Sequence, residues 1–132
     1  MKNWIIVIGR VLLGHIFLLA GISKIGAFAG TQAYMESMGV PGGLLIPVIA
    51  LEVGGGLAVI IGWQIRWAAL ALAGFSIISA MIFHADFNNQ LQSIMFMKNL
   101  SIAGGLLFMS AVGAGAWSLD KKIQGHRGHT AG

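Results

Sequence analysis

Two ionisable residues stand inside long apolar runs: Arg10 in WIIVIGRVLLGHIF and Glu52 in LIPVIALEVGGGLAVII. A charged side chain at bilayer depth costs at least ~2.5 to 3.5 kcal/mol on insertion scales, so both are the first candidates for function. At 1.5 Å per helical residue, Arg10 lies roughly 9 Å from the start of its run and Glu52 roughly 15 Å from the matching end of its own. A guanidinium arm covers that gap. The sequence therefore predicts a buried ion pair between Arg10 and Glu52, because stranding either charge in hydrocarbon costs more than pairing both. Such a pair either fixes helix register or serves a site, and the residues leave both readings open.

A second polar group is predicted where His84, Asp86 and Lys98 gather at one end of the third and fourth runs, with Lys24 closing the first run on the same side. Together they form either a ligand-binding vestibule, suited to a headgroup or carbonyl, or ordinary snorkelling side chains. His15 is roughly level with Glu52 but turned about 140° from Arg10, so only one of the two faces the second helix, and Arg10 is assigned that place. His15 and His84 sit at different depths, so one haem iron cannot take both. The absence of cysteine excludes disulfide exchange and thiolate metal sites. No catalytic residue and no metal site is assigned; His126 and His129 in the tail are at most a weak metal pair.

These side chains must be positioned by elements that lipid can solvate. Of the 132 residues, 57% are hydrophobic and 9% charged, against about 25% charged in soluble domains. Four runs approach the ~20 residues that cross hydrocarbon: 4–23, 44–61, 67–83 and 100–116. They lack period-two alternation, and helices satisfy their own backbone groups in lipid. The fold class expected is all-α, an integral membrane four-helix bundle. Between the first two spans, Thr31 caps a short interfacial helix bearing Tyr34, Met35 and Met38, ended by Gly39 and Pro41. That helix either rests on the bundle or gates a pocket.

Trp4, Trp63, Trp67 and Trp117 mark span ends, and Lys2, Arg66, Lys121, Lys122 and Arg127 fall opposite Lys24 and Lys98. The positive-inside rule then places both termini in the cytoplasm. Arg10 and the lack of a small-x-small site argue that the first span is retained rather than cleaved. Residues 1–120 form the membrane domain and 121–132 a polar, disordered tail. The eight basic residues are too scattered for a nucleic-acid interface.

Arg10, Gly14, Phe17, Gly21 and Lys24 share one helix face, expected to point inward, as do Glu52, Gly55, Gly56 and Val59 on the second helix. Their glycines suit close helix packing, and Gly-rich faces of this kind also suit self-association.

Taken together, Arg10 with AGISK and Phe28, GTQAYMESMGVP, ALEVGGGLAVIIGW, FHADF, KNLSIAGGLLF and GAGAWSLD resemble the DoxX family of four-helix bacterial inner-membrane proteins. The likeness covers nearly the whole chain. It implies membership among subunits of quinol oxidase, thiosulfate:quinone oxidoreductase or oxidative-stress oxidoreductase complexes, with Arg10, Lys24, Glu52, His84 and Lys98 as the polar motif residues and no catalytic assignment. The reading that follows is a non-catalytic, quinone-binding accessory of a membrane redox system, in contact with lipids and redox partner proteins. A four-helix small-molecule transporter and a purely structural assembly protein are the alternatives.

Overall fold

A computed structural model describes residues 2–124, and among these there is helix and turn but no strand. Five α-helices follow in order: α1 (Lys2–Gly26), α2 (Phe28–Ser37), α3 (Leu45–Ile61), α4 (Ile65–Phe83) and α5 (Gln90–Val112). A 3-10 turn, Gly42–Leu44, leads directly into α3. Helices α1, α3 with its 3-10 turn, α4 and α5 are long and apolar enough to cross a membrane. They alternate in direction, so one end of the bundle carries the N-terminus and the α3–α4 turn, while the other carries α2 and the α4–α5 loop.

The turns follow from local chemistry. Helix α1 passes into α2 with only Ala27 between them, and α2 starts at Phe28 with no side-chain cap. The expected cap residue Thr31 instead lies inside α2, because hydrogen bonds from Ala27 N–H to Ser23 and from Thr31 N–H to Ala27 carry the backbone through the bend without a loop. Gly39, at φ +81°, ends α2. Pro47 falls in the first turn of α3, where its missing N–H has no intrahelical partner to lose. The fourth span runs over Gln90–Val112, not 100–116: Asn89 accepts hydrogen bonds from Leu91 and Gln92 N–H and so starts the helix early. Gly113, at φ +97°, ends it. Polar Gln90, Gln92, Ser93, Lys98 and Asn99 dilute the hydropathy of that first half and conceal it in a sequence scan.

Helix α1 packs chiefly on α3, α4 on α5, and α3 joins the two pairs. Arg10, Gly14, Phe17 and Gly21 are buried on α1, and Glu52, Gly56 and Val59 on α3, as their spacing predicts. At Gly14 and Gly56 the two backbones touch. A Cβ on Gly14 would lie 2.7 Å from the Gly56 carbonyl oxygen, and one on Gly56 would lie 2.9 Å from that of Gly14. Only glycine fits this crossing. Val59, Leu72 and Leu106 are fully buried at the centre, with Phe17, Ile65, Ala69, Ala73 and Ala103 around them. Most large side chains on the outside are apolar, Phe108, Trp67 and Leu91 among them, as lipid requires.

Beyond Gly113 the chain folds back across the termini end and becomes helical again over 119–124, which includes the first four residues of the predicted tail. Residues 125–132, with Arg127, His126 and His129, lie outside the described residues.

Candidate functional site

The α1–α3 register decides which buried charges meet. Gly21 faces Glu52 and Val53, Gly14 faces Gly56 and Ile60, and Arg10 faces Gly62. Arg10 is therefore eleven residues along α1 from the level of Glu52, about 16 Å at 1.5 Å per residue, beyond the reach of a guanidinium. The predicted Arg10–Glu52 pair does not form. Counting from the ends of the apolar runs misjudged the register, which the glycine crossing sets instead. Lys24, one turn from Gly21, reaches back and places Nζ 2.7 Å from Glu52 Oε1. This is the ion pair among the described residues, with the carboxylate buried and the lysine partly exposed.

The pair lines a largely apolar cavity of about 350 Å³ bordered by residues of α1, α2, α3, α4 and α5. Phe17, Met35, Phe75, Phe83, Met95 and Ile102 form its apolar wall, while Lys24, Glu52, Thr31, Tyr34, Ser76, Ser79, His84 and Asn99 bring polar atoms to it. Tyr34 stacks on Phe83 with ring centroids 5.5 Å apart, which roofs the cavity with α2. Helix α2 is held in turn by Gln32 Nε2, which donates to the Gly42 carbonyl at 3.2 Å. Asn99 Nδ2 donates one hydrogen to the Ser76 carbonyl at 3.3 Å, leaving its second amide hydrogen available. The His84 ring nitrogen Nδ1 lies 3.1 Å from Gln92 Oε1.

Of the predicted vestibule residues, Lys24 and His84 are thus brought to one cavity; Asp86 and Lys98 are not among its lining. Asp86 is exposed and accepts from Asn88 N–H at 3.2 Å, shaping the α4–α5 loop. Lys98 points outward from α5, because it sits about 100° around the helix from its neighbour Asn99, which takes the inward position. Thr31, Tyr34, Ser76, Ser79 and Asn99 were not singled out as site residues. Asn99 carried a usable signal: it shares a face with Ile102, Ala103 and Leu106, the core side of α5. The serines carried none, since a helix tolerates serine by bonding it to its own backbone.

At the termini end Arg10 is buried without a carboxylate partner in contact. Its Nη2 donates to the Trp117 carbonyl at 2.5 Å, whereas Nε and Nη1 have no hydrogen-bond partner. The backbone turn at Gly62, φ +75°, leaves the space that Nη1 occupies. Asp120 locks the returning segment: its two carboxylate oxygens accept from the N–H groups of Gln64 and Ile65 at 2.6 and 2.9 Å, and its own N–H donates to the Gly62 carbonyl. Helix α4, which has no side-chain cap of its own, is capped by Asp120 from the far end of the chain. A wide, open depression beside this lock is lined by Trp63, Arg66, Trp67, Ser110 and Lys121. This depression is larger and more polar than the cavity at the α2 end, and neither Lys24 nor Glu52 lines it.

His15 lies on the outside of α1, with Nδ1 2.6 Å from the Leu12 carbonyl. Among the described residues no three His, Asp or Glu side chains converge as a metal site would require.

A family model described as DoxX matches residues 5–85. The chain is 48% identical over 118 residues to the inner membrane protein YqjF of Escherichia coli strain K12, covering 89% of this chain and 91% of that protein. It is 32% identical over 125 residues to the inner membrane protein YphA of the same organism, covering 89% of each. No solved structure matches it.

Proposed function

Taking as premise that this chain belongs to the DoxX family of inner-membrane proteins, we propose that it is a non-catalytic, quinone-binding accessory of a membrane oxidoreductase system, and that its cavity is the quinone site. The observation that carries this reading is the roofed cavity of about 350 Å³ inside the α2 end of the bundle, within the ~300–1,000 Å³ usual for small-molecule sites. Its apolar wall suits a ring and the start of an isoprenoid tail. A quinone carbonyl accepts hydrogen bonds, and Lys24, Tyr34 and the second amide hydrogen of Asn99 supply donors around the cavity. No side chain in the cavity is assigned a redox role; electrons would arrive from a partner protein.

Lys2, Arg66, Lys121 and Lys122 at the termini end support, through the positive-inside rule, cytoplasmic termini and a quinone site toward the opposite leaflet. The transporter reading needs a carboxylate free to exchange a proton for its cargo, and Lys24 stands against the one buried glutamate, which favours the binding reading.

Organic extraction of the purified protein should release a quinone. A short-chain benzoquinone titrated by calorimetry should bind. Tyr34→Phe, which keeps the stack on Phe83, and Asn99→Leu should each weaken that binding about fivefold, the worth of one hydrogen bond near 1 kcal/mol. Protein that neither retains nor binds a quinone, or that binds equally well with both substitutions, sinks the assignment.

A further inference from the structure

Helix α1 has a second face that the bundle leaves uncovered. Ile5, Ile8, Leu12, His15, Leu19 and Ile22 are all exposed, and they follow one another at steps of three and four throughout. This is the a/d repeat of a left-handed helix pair, in which each side chain enters a hole on a facing helix. The inward face, Arg10 to Gly21, is already used against α3, so the outward repeat has no partner among the described residues.

One member of the repeat is out of place in lipid. His15 stands 13 residues after Lys2 on a helix that ends at Gly26, about 20 Å along, close to the midplane. An imidazole there is too short to snorkel to either interface. Its Nδ1 lies 2.6 Å from the Leu12 carbonyl; a carbonyl oxygen only accepts, so Nδ1 carries the hydrogen and Nε2 turns an unpaired lone pair outward. A polar group at this depth is ordinarily turned toward protein or water.

We infer that this face of α1 is a self-association surface, on which a second copy of the chain packs its own α1 in parallel about a two-fold axis normal to the membrane. The occupant follows from depth and topology. A second copy inserted with the same topology presents the same repeat in the same register, and it sets His15 against His15 at the midplane. One water on the axis can donate a hydrogen to each Nε2, so both lone pairs are met. A single polar member in an otherwise apolar repeat fixes register and helix number, the best-attested use of such a residue. The surface lies on the opposite side of α1 from the cavity and is independent of any ligand held there.

The chain has no cysteine, so single cysteines report on the contact directly. Full-length protein carrying Leu12→Cys or Leu19→Cys, oxidised in native membranes with copper phenanthroline, should give a disulfide-linked dimer well above that of Phe108→Cys, a still more exposed site on α5. Two differently tagged copies in one cell should appear together in that band. Adding His15→Leu should lower the dimer association constant about threefold, the average worth of one interhelical hydrogen bond in a membrane. The Phe108→Cys yield serves as the measure of random collision. Cross-linking at Leu12 and Leu19 no stronger than at Phe108, capture of a different protein in place of the second tagged copy, or a dimer indifferent to His15→Leu would each overturn the inference.

Discussion

Helix α1 carries two cations on its inward face, Arg10 buried and Lys24 partly exposed, and the protein compensates them differently at its two ends. Lys24 meets a buried carboxylate beside a cavity. Arg10 meets a main-chain carbonyl under a folded-back segment. The first arrangement leaves polar atoms facing a space that a ligand can enter. The second uses one nitrogen, Nη2, to hold the returning segment, and its two unpaired nitrogens line no cavity. A buried charge therefore marks a candidate binding site only when its polar atoms face a space that a ligand can enter; Lys24 and Glu52 line such a space, whereas Arg10 lines neither the cavity nor the depression at the termini end.

The comparison breaks most sharply at Lys24. Its side chain is 29% exposed whereas that of Glu52 is 4% exposed, so the lysine can rehydrate and the glutamate cannot. Lys24→Met should strand the carboxylate and cost about 3–5 kcal/mol, as removing one member of a buried pair does. Glu52→Gln should cost clearly less. The double substitution Lys24→Met with Glu52→Gln should recover most of the loss, which a double-mutant cycle in mild-detergent unfolding measures. Equal costs for the two single substitutions would show that the lysine is as trapped as its partner.

Arg10→Met should cost less than Lys24→Met, about 1.5–3 kcal/mol for one charged hydrogen bond, because it strands no carboxylate in contact. It also removes two nitrogens that lack partners. Benzoquinone binding should be unchanged in this variant while thermal stability falls. Loss of binding together with stability would merge the two ends into one functional unit and end the distinction drawn here.

Much of this was legible in the sequence for simple physical reasons. Apolar run length marks a span whatever its partners, so three of the four spans were read to within a few residues, and the spacing of Arg10, Gly14, Phe17 and Gly21 gave the buried face of α1. Pairing was not legible. Which residue of α1 stands beside Glu52 depends on where two backbones touch, and the choice of Gly14 against Gly56 among several glycines on each face is a tertiary fact. The capping of α4 by Asp120 spans 55 residues and is invisible for the same reason. Lys98 and Asn99 show the limit from the other side: charge drew attention to the outward neighbour, while the amide beside it faced the cavity.

Asp120→Asn tests the closing device more gently. The side chain keeps one acceptor oxygen but loses its charge, so one of the two bonds to Gln64 and Ile65 N–H should go and the other weaken, a loss of about 1 kcal/mol. The local consequence should exceed the global one. Limited proteolysis of the 113–124 segment should quicken while the melting temperature falls by only a few degrees. A uniform loss of protection throughout the bundle would show that the segment unfolds only with the whole protein.

The smallest effect belongs to Lys98. It lies eight residues into α5 and points away from the core and the cavity, so its ammonium must run along the helix to the nearer interface, at the α2 end. Replacing it with methionine keeps the aliphatic length against lipid and removes only a charge that the interior never contacts. Lys98→Met should therefore leave benzoquinone binding unchanged and alter stability by no more than about 0.5 kcal/mol, as substitutions away from buried features do. Asn99→Leu, one residue along, should weaken the same binding. If the order is reversed, α5 is turned about its axis by roughly 100° relative to this arrangement, and the cavity presents an ammonium where an amide is now assigned.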